Sequence, residues 1–121
     1  MKKDNIIQIK SYDFALLCVK LFKKLTSERH EYILSKQVLR SSTSIGANIE
    51  EAIGGQSTKD FLSKMAISYK EARETHYWLR LLRDSNYLSQ EESKSLIENC
   101  EELLKIIGSI QRTTKFKTHN S

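Results

Sequence analysis

Glu50, Glu51, Glu71 and Glu74 form two close pairs of carboxylates, and on the helices of a bundle such pairs are the usual ligands of a two-metal centre. That chemistry also needs a histidine three residues after a glutamate on two of the helices, so that both ligands project from one face. The residue three before His76 is Arg73, and His30 and His119 fall outside the expected helix interiors, so no metal site is expected. Cys18 and Cys100 stand far apart with no second Cys or His at ligand spacing, and both fall on apolar lines; they read as buried reduced thiols. No glycine-rich phosphate loop, His-Glu-x-x-His or Gly-x-Ser-x-Gly elbow occurs. Gly54-Gly55-Gln56-Ser57 precedes a helix and offers amides to an anion, but a lone two-glycine turn reads as a connector. The residues therefore predict no enzyme, no cofactor and no small-molecule substrate.

The remaining chemistry is electrostatic. The 121 residues include 20 basic and 15 acidic side chains, for a net charge of +5. Lys20, Lys23, Lys24 and Arg29 cluster toward the end of the first expected helix, tempered only by Glu28, and Arg80 and Arg83 end the third. Lys105, Arg112, Lys115 and Lys117 follow Glu102 with no acidic residue between it and the C-terminus. Such groups suit a polyanion, RNA or DNA, whose affinity rests on phosphate contacts. They have a duller use as solvated surface, since cations near a helix C-terminus contribute about 0.3–1 kcal/mol.

These residues must be positioned by helices. The chain has no proline and four glycines, an absence of breakers that predicts an all-α protein. Phe14, Cys18, Leu21 and Leu25 step by four, three and four and predict a helix over about 11–25. A second, over about 31–53, carries Leu34, Val38, Ser41, Ile45, Asn48 and Ala52, flanked by Ser42 and Ile49. Gly54-Gly55 should end it in the left-handed conformation. A third, over about 59–84, starts from a Ser57 or Thr58 cap and carries Phe61, Met65, Ser68, Ala72, Thr75, Leu79 and Leu82. A fourth, over about 90–112, opens with the capping box Ser89-x-x-Glu92 and carries Leu96, Cys100, Leu103, Ile107 and Ile110. Short connections between long helices make neighbours antiparallel. One domain over residues 1–121 is expected, an antiparallel up-and-down four-helix bundle with a frayed basic tail at 113–121. In that topology the ends of the first and third helices share a pole, so their basic groups could merge into one patch; the end of the fourth lies at the opposite pole.

Within the second helix, six residues between Ser41 and Ala47 are Ser, Thr, Gly or Ala. Small side chains let a neighbouring backbone approach, and Gly46 costs about 1 kcal/mol against alanine unless close packing offsets it. Asn48 near the core line needs a polar partner, for which Ser68 or Glu71 of the third helix are the candidates, in a structural role that fixes register. Leu16, Val19 and Phe22 on the first helix, with Ile67 and Trp78 on the third, lie off the core lines. They read either as a wide stripe inside a monomer or as a second contact face; the aromatic anchor favours the face, and hence a homo-oligomer. The apolar run from Phe14 to Val19 is broken by Lys20, too short for a signal-peptide core or a membrane span, so a cytoplasmic protein is expected.

Arg40-Ser41-Ser42-x-Ser44-Ile45-x-Ala47-Asn48-Ile49-x-Glu51, followed by Phe61, Ser68-x-x-Glu71 and Tyr87-Leu88, resembles the bacterial four helix bundle protein family. Its members are associated with intervening sequences in large-subunit ribosomal RNA genes and were once labelled S23 ribosomal proteins. Ala52 stands where that family commonly has glycine. The resemblance implies an up-and-down bundle that assembles as a homopentamer, and a similar protein accompanies diversity-generating retroelements and binds nucleic acid through basic surface. It implies a non-enzymatic accessory protein binding RNA or DNA through Lys20, Lys23, Lys24, Arg29, Arg80 and Arg83 or through Lys105, Arg112, Lys115 and Lys117. The reading from a different class is an oligomeric scaffold that binds a partner protein.

Overall fold

Four helices follow one another in the computed structural model, which describes residues 3–119, with side chains from Ile6 onward: α1 Lys3–Glu28, α2 Leu34–Ile53, α3 Thr58–Asp84 and α4 Gln90–His119. They pack in sequential order, α1 on α2, α2 on α3 and α3 on α4, with a slighter α1–α4 contact closing the ring; α1 and α3 lie on a diagonal, with no close approach of their backbones. This is an all-α, antiparallel four-helix bundle. Among the described residues, no helix is long and apolar enough to cross a membrane.

The spacing of apolar residues dictates the core. Every residue of the expected lines on α1 and α4 is buried, as is every one on α3 except the partly buried Phe61. Burying side chains the size of Phe14, Leu79 or Ile107 contributes about 1.5–3 kcal/mol each. The line on α2 shifts. Leu34 is only partly buried and Asn48 moves to the rim, while Ser42 and Ile49 are fully buried. At ~100° per residue, Asn48 sits about 80° from the centre of the buried stripe, because α2 has to face α1 and α3 at once.

Both outer helices are longer than the periodicity predicts. α1 begins eight residues before Ser11, and its extra turns bury Ile7. α4 does not fray at 113; its helix runs to His119, about 45 Å at ~1.5 Å per residue. Residues 120–121 of the expected tail lie outside the described residues.

Helix ends follow local chemistry. Ser57 Oγ accepts the Asp60 amide at 3.0 Å to start α3, and Ser89 and Glu92 form the reciprocal capping box ahead of α4. α2 starts at Leu34 rather than 31 because Glu31 stays outside as its cap: the carboxylate accepts the amides of Ile33, Leu34 and Ser35 at 3.1, 3.0 and 2.6 Å. The expected left-handed glycine after α2 is absent. Gly54 has φ −81°, and among the described residues the positive φ values belong to His30 (53°) and Asn86 (65°), which follow α1 and α3. Asn86 ends α3 in a Schellman turn, with Tyr87 N donating to Leu82 O and Asn86 N to Arg83 O. Gly55 is favoured for a different reason, since a Cβ there would crowd the Ala52 carbonyl at 3.1 Å.

Candidate nucleic-acid interface

The small residues of α2 face inward on both flanks. Ser41 and Ser42 are fully buried, and a Cβ on Gly46 would lie 3.3 Å from Ser11 Oγ of α1. Toward α3, Ser68 Oγ donates to the Ile45 carbonyl at 2.9 Å, a helix-to-helix bond that needs close backbones. Asn48 does not reach Ser68 or Glu71. It donates to Ser44 O of its own helix at 2.8 Å, because Ser68 has already found a carbonyl and Glu71 binds Arg40.

The carboxylates of α2 and α3 do not converge. Arg40 bridges Glu71 and Glu74, Gln8 Nε2 donates to Glu50 at 3.1 Å, and Lys64 pairs with Glu51 at 3.7 Å. Trp78 Nε1 donates to Glu74 at 2.9 Å, and this bond, together with the hydrogen bond and charge of Arg40, holds the Glu74 carboxyl below its ordinary range despite burial. Among the described residues, no group of three or more His, Cys, Asp or Glu is placed to hold a metal ion. Cys18 and Cys100 are buried thiols pushed up to about 12 by desolvation, and Cys100 donates to Ala72 O.

The basic residues divide into engaged and unengaged. Arg29 donates to the carbonyls of Asn86 and Tyr87 and lies 4.9 Å above the Tyr87 ring, so it clasps the α3–α4 turn. Lys24 pairs with Glu92, and Arg83 with Asp84 at 2.8 Å. Arg80 lies 5.7 Å above the Tyr77 ring. Lys20 and Lys23 are exposed on α1. The groups of α1 and α3 share a pole, but they do not merge: the two helices lie on a diagonal, and between them stands the start of α4 with Glu91, Glu92, Glu98, Glu101 and Glu102. At the other pole, Lys105, Arg112, Lys115 and Lys117 are all exposed along the unbroken α4 helix, with no acidic residue among them.

The off-core apolar residues are partly exposed. Leu16 and Ile67 are 49% and 40% exposed, while Val19, Phe22 and Trp78 are half-buried. Phe22 lies eleven residues, three turns, from Ser11 and so turns to the α2 flank. Sequence reasoning missed Ile9 and Tyr12, which join Leu16 and Val19 in a three-four-three series on the outer face of α1. The expected start at Ser11 cut off Ile9, whereas Tyr12, inside the expected helix, carried the signal in its spacing from Leu16 and Val19. On α3, Tyr77 packs edge-on against Trp78 at 5.1 Å and adds to Ile67.

Residues 3–109 match the family model described as 23S rRNA-intervening sequence protein. The chain belongs to that family. Among solved structures, this 23S rRNA-intervening sequence family chain is similar to a crystal structure of a protein with unknown function from the S23 ribosomal protein family of Bacteroides thetaiotaomicron. Identity is 46%, with 92% of this chain and 99% of that one covered and a TM-score of 0.91. A search of curated proteins gives no match. The family match ends at 109, so most of the basic stretch of α4, from Arg112 to Lys117, lies beyond it.

Proposed function

We propose that this chain is a cytoplasmic, non-enzymatic accessory protein that assembles with copies of itself, as a pentamer, and binds RNA or DNA through basic surface. The observation that carries the nucleic-acid part is the half of α4 after Glu102, where four exposed cations recur on a continuous helix without one carboxylate, Lys105, Arg112 and Lys115 on one face and Lys117 on another. A merely solubilising surface intersperses both signs, as the first half of α4 does. Membership of a family described by an rRNA intervening sequence points the same way.

Assembly is supported by the diagonal placement of α1 and α3. The outer stripe of α1 (Ile9, Tyr12, Leu16, Val19) and Tyr77 on the outer face of α3 sit across the diagonal, while Ile67 and Trp78 continue the apolar surface of α3 along its α2 flank, where Trp78 bonds Glu74 and Glu74 pairs with Arg40. Two unlike apolar faces on opposite sides join copies head to tail, and such contacts make a ring where the rotation closes.

A salt titration of binding to structured RNA and to duplex DNA tests the function. Four phosphate contacts give a slope of about −3 to −4 in log affinity against log salt. Absence of salt-sensitive binding to either polymer refutes the reading. Light scattering at micromolar concentration tests assembly, and a monomeric mass refutes it. The groove between Leu17 and Leu21 of α1 and Leu96 of α4 favours the protein-scaffold reading, for which a co-purifying protein that survives nuclease treatment is the sign.

A further inference from the structure

The connector between α1 and α2 is built against the usual chemistry of a turn. Three of its residues are His30, Tyr32 and Ile33, with Tyr32 51% and Ile33 75% exposed, where small polar residues would cost nothing. It is also held from both ends. Arg29 is fixed on the carbonyls of Asn86 and Tyr87, and Glu31 is turned inward onto the amides of Ile33, Leu34 and Ser35. His30 Nδ1 lies 3.1 Å from the Tyr32 hydroxyl, which sets the two rings at 44° with centroids 6.4 Å apart. A large aromatic and a large aliphatic side chain are thus presented to solvent by a backbone that is not free to fold them away.

The exposed charge of the connector itself is positive, with Glu28 just before it on α1. From Arg29 to Lys36 the only carboxylate is Glu31, whose oxygens face the α2 amides, whereas Arg29 and Lys36 are exposed. Aromatic faces beside cations, on a fixed loop, match the unpaired bases and phosphates of a single strand: stacking tolerates any base, and the cations follow the backbone. A duplex offers no base face to such a loop. We infer that the α1–α2 connector is a stacking site for unpaired nucleotides, with Tyr32 the platform, Ile33 its apolar wall and Lys36 the phosphate contact. This rests on the nucleic-acid reading above and adds to it a second site, at the pole opposite the basic end of α4, with a preference for single strands.

Fluorescence anisotropy of the full chain with a labelled oligouridylate, and with a blunt RNA duplex of similar length, tests it. Tyr32→Ala is expected to weaken the oligouridylate about tenfold or more, the usual worth of one stacked base, while duplex affinity stays within about twofold. Tyr32→Phe keeps the ring and is expected to restore wild-type binding. Tyr32 is half exposed and its hydroxyl bonds the exposed His30, outside the core, so the alanine variant is expected to keep its fold, which an unchanged thermal transition verifies. Wild-type affinity of Tyr32→Ala for the oligouridylate overturns the site and leaves the α4 reading standing. Equal loss on strand and duplex also overturns it, since no base is then being read. A wild-type chain that binds neither polymer overturns both, whereas a Tyr32-dependent complex with another protein that persists without RNA overturns the connector site alone.

Discussion

Thr75 of α3 donates its hydroxyl to Ser41 Oγ of α2 across 2.8 Å, and both side chains are fully buried. The bond closes the gap that the small residues of α2 leave between two helices. Thr75→Val keeps the shape and leaves Ser41 only the Val38 carbonyl at 3.4 Å, so it should cost about 1–3 kcal/mol in urea unfolding. Ser41→Ala with Thr75→Val removes both hydroxyls together and should cost less than the sum of the single changes. Strict additivity in that cycle would show the bond contributes nothing.

Gly46 offers a test of close approach on the other flank. Alanine in a helix interior gains up to about 1 kcal/mol over glycine, but here its Cβ meets Ser11 Oγ at 3.3 Å, and that hydroxyl is held on the Gln8 carbonyl. Gly46→Ala should therefore stabilise little in the wild-type background. In a Ser11→Ala background the obstacle is gone, the next atoms being at ordinary contact distance, and Gly46→Ala should raise stability by about 0.5–1 kcal/mol. Equal effects in both backgrounds would mean α1 and α2 are not in the contact described.

Much of this was readable from periodicity. A four-three alternation marks a buried helix face whatever the neighbours are, so Phe14 to Leu25, Met65 to Leu82 and Leu96 to Ile110 are core as expected. Periodicity failed where a residue's surroundings come from several elements. Asn48 falls on the line of α2, yet the position between two partners gives its place to Ile49. Glu31 has the composition of a helix residue and acts as a cap, because its carboxylate reaches three amides ahead of it. The Arg40–Glu71–Glu74–Trp78 network spans two helices, and no local spacing announces it. The merging of the basic groups failed for a similar reason: pole and sign were legible, whereas the acidic start of α4 standing between them depended on packing order.

The Glu31 cap gives a pH dependence. Burial alone would raise its carboxyl, but the amides of Leu34, Ser35 and Ile33 outweigh it and hold it below the ordinary value of 4.5. A carboxyl lowered on folding contributes stability that is fully present above its unfolded value and is lost as pH falls through the folded one. Wild type should therefore lose stability below about pH 4.5 more steeply than Glu31→Gln, whose side chain does not titrate, while Glu31→Ala should cost about 1–2 kcal/mol near neutral pH. Parallel stability curves for wild type and Glu31→Gln would remove the cap from the account.

Assembly through the outer faces predicts an asymmetric rescue. Leu16→Asp on α1 and Tyr77→Asp on α3 each place a charge at an apolar face that is already half open to solvent, so each should keep helical content and lose the oligomer. If the contacts run head to tail, α1 of one copy against α3 of the next, mixing the two variants leaves one unaltered joint per pair and yields dimers, but no closed ring. Sedimentation of the mixture reads this directly. Dimers of either variant alone would indicate that like faces pair with like, and a mixture that stays monomeric would show that these two faces do not join copies.

The two basic regions should answer differently to neutralisation. Lys24 is paired with Glu92 and Arg83 with Asp84, so in Lys24→Gln and Arg83→Gln a phosphate loses a cation that was already shared with a carboxylate. Their effect on the salt slope should be close to zero. On α4, the glutamine variant at Lys105, Arg112, Lys115 and Lys117 removes four exposed cations that no ion pair among the described residues engages, and the slope should flatten by about 3–4. A chain ending at Ile110 keeps the whole family-matched region and Lys105, so it should flatten the slope by about 2–3 while its unfolding transition moves little. Were the slope unchanged in both, the cations of α4 would be solvated surface and the phosphate contacts would have to lie with Lys20, Lys23 and Arg80.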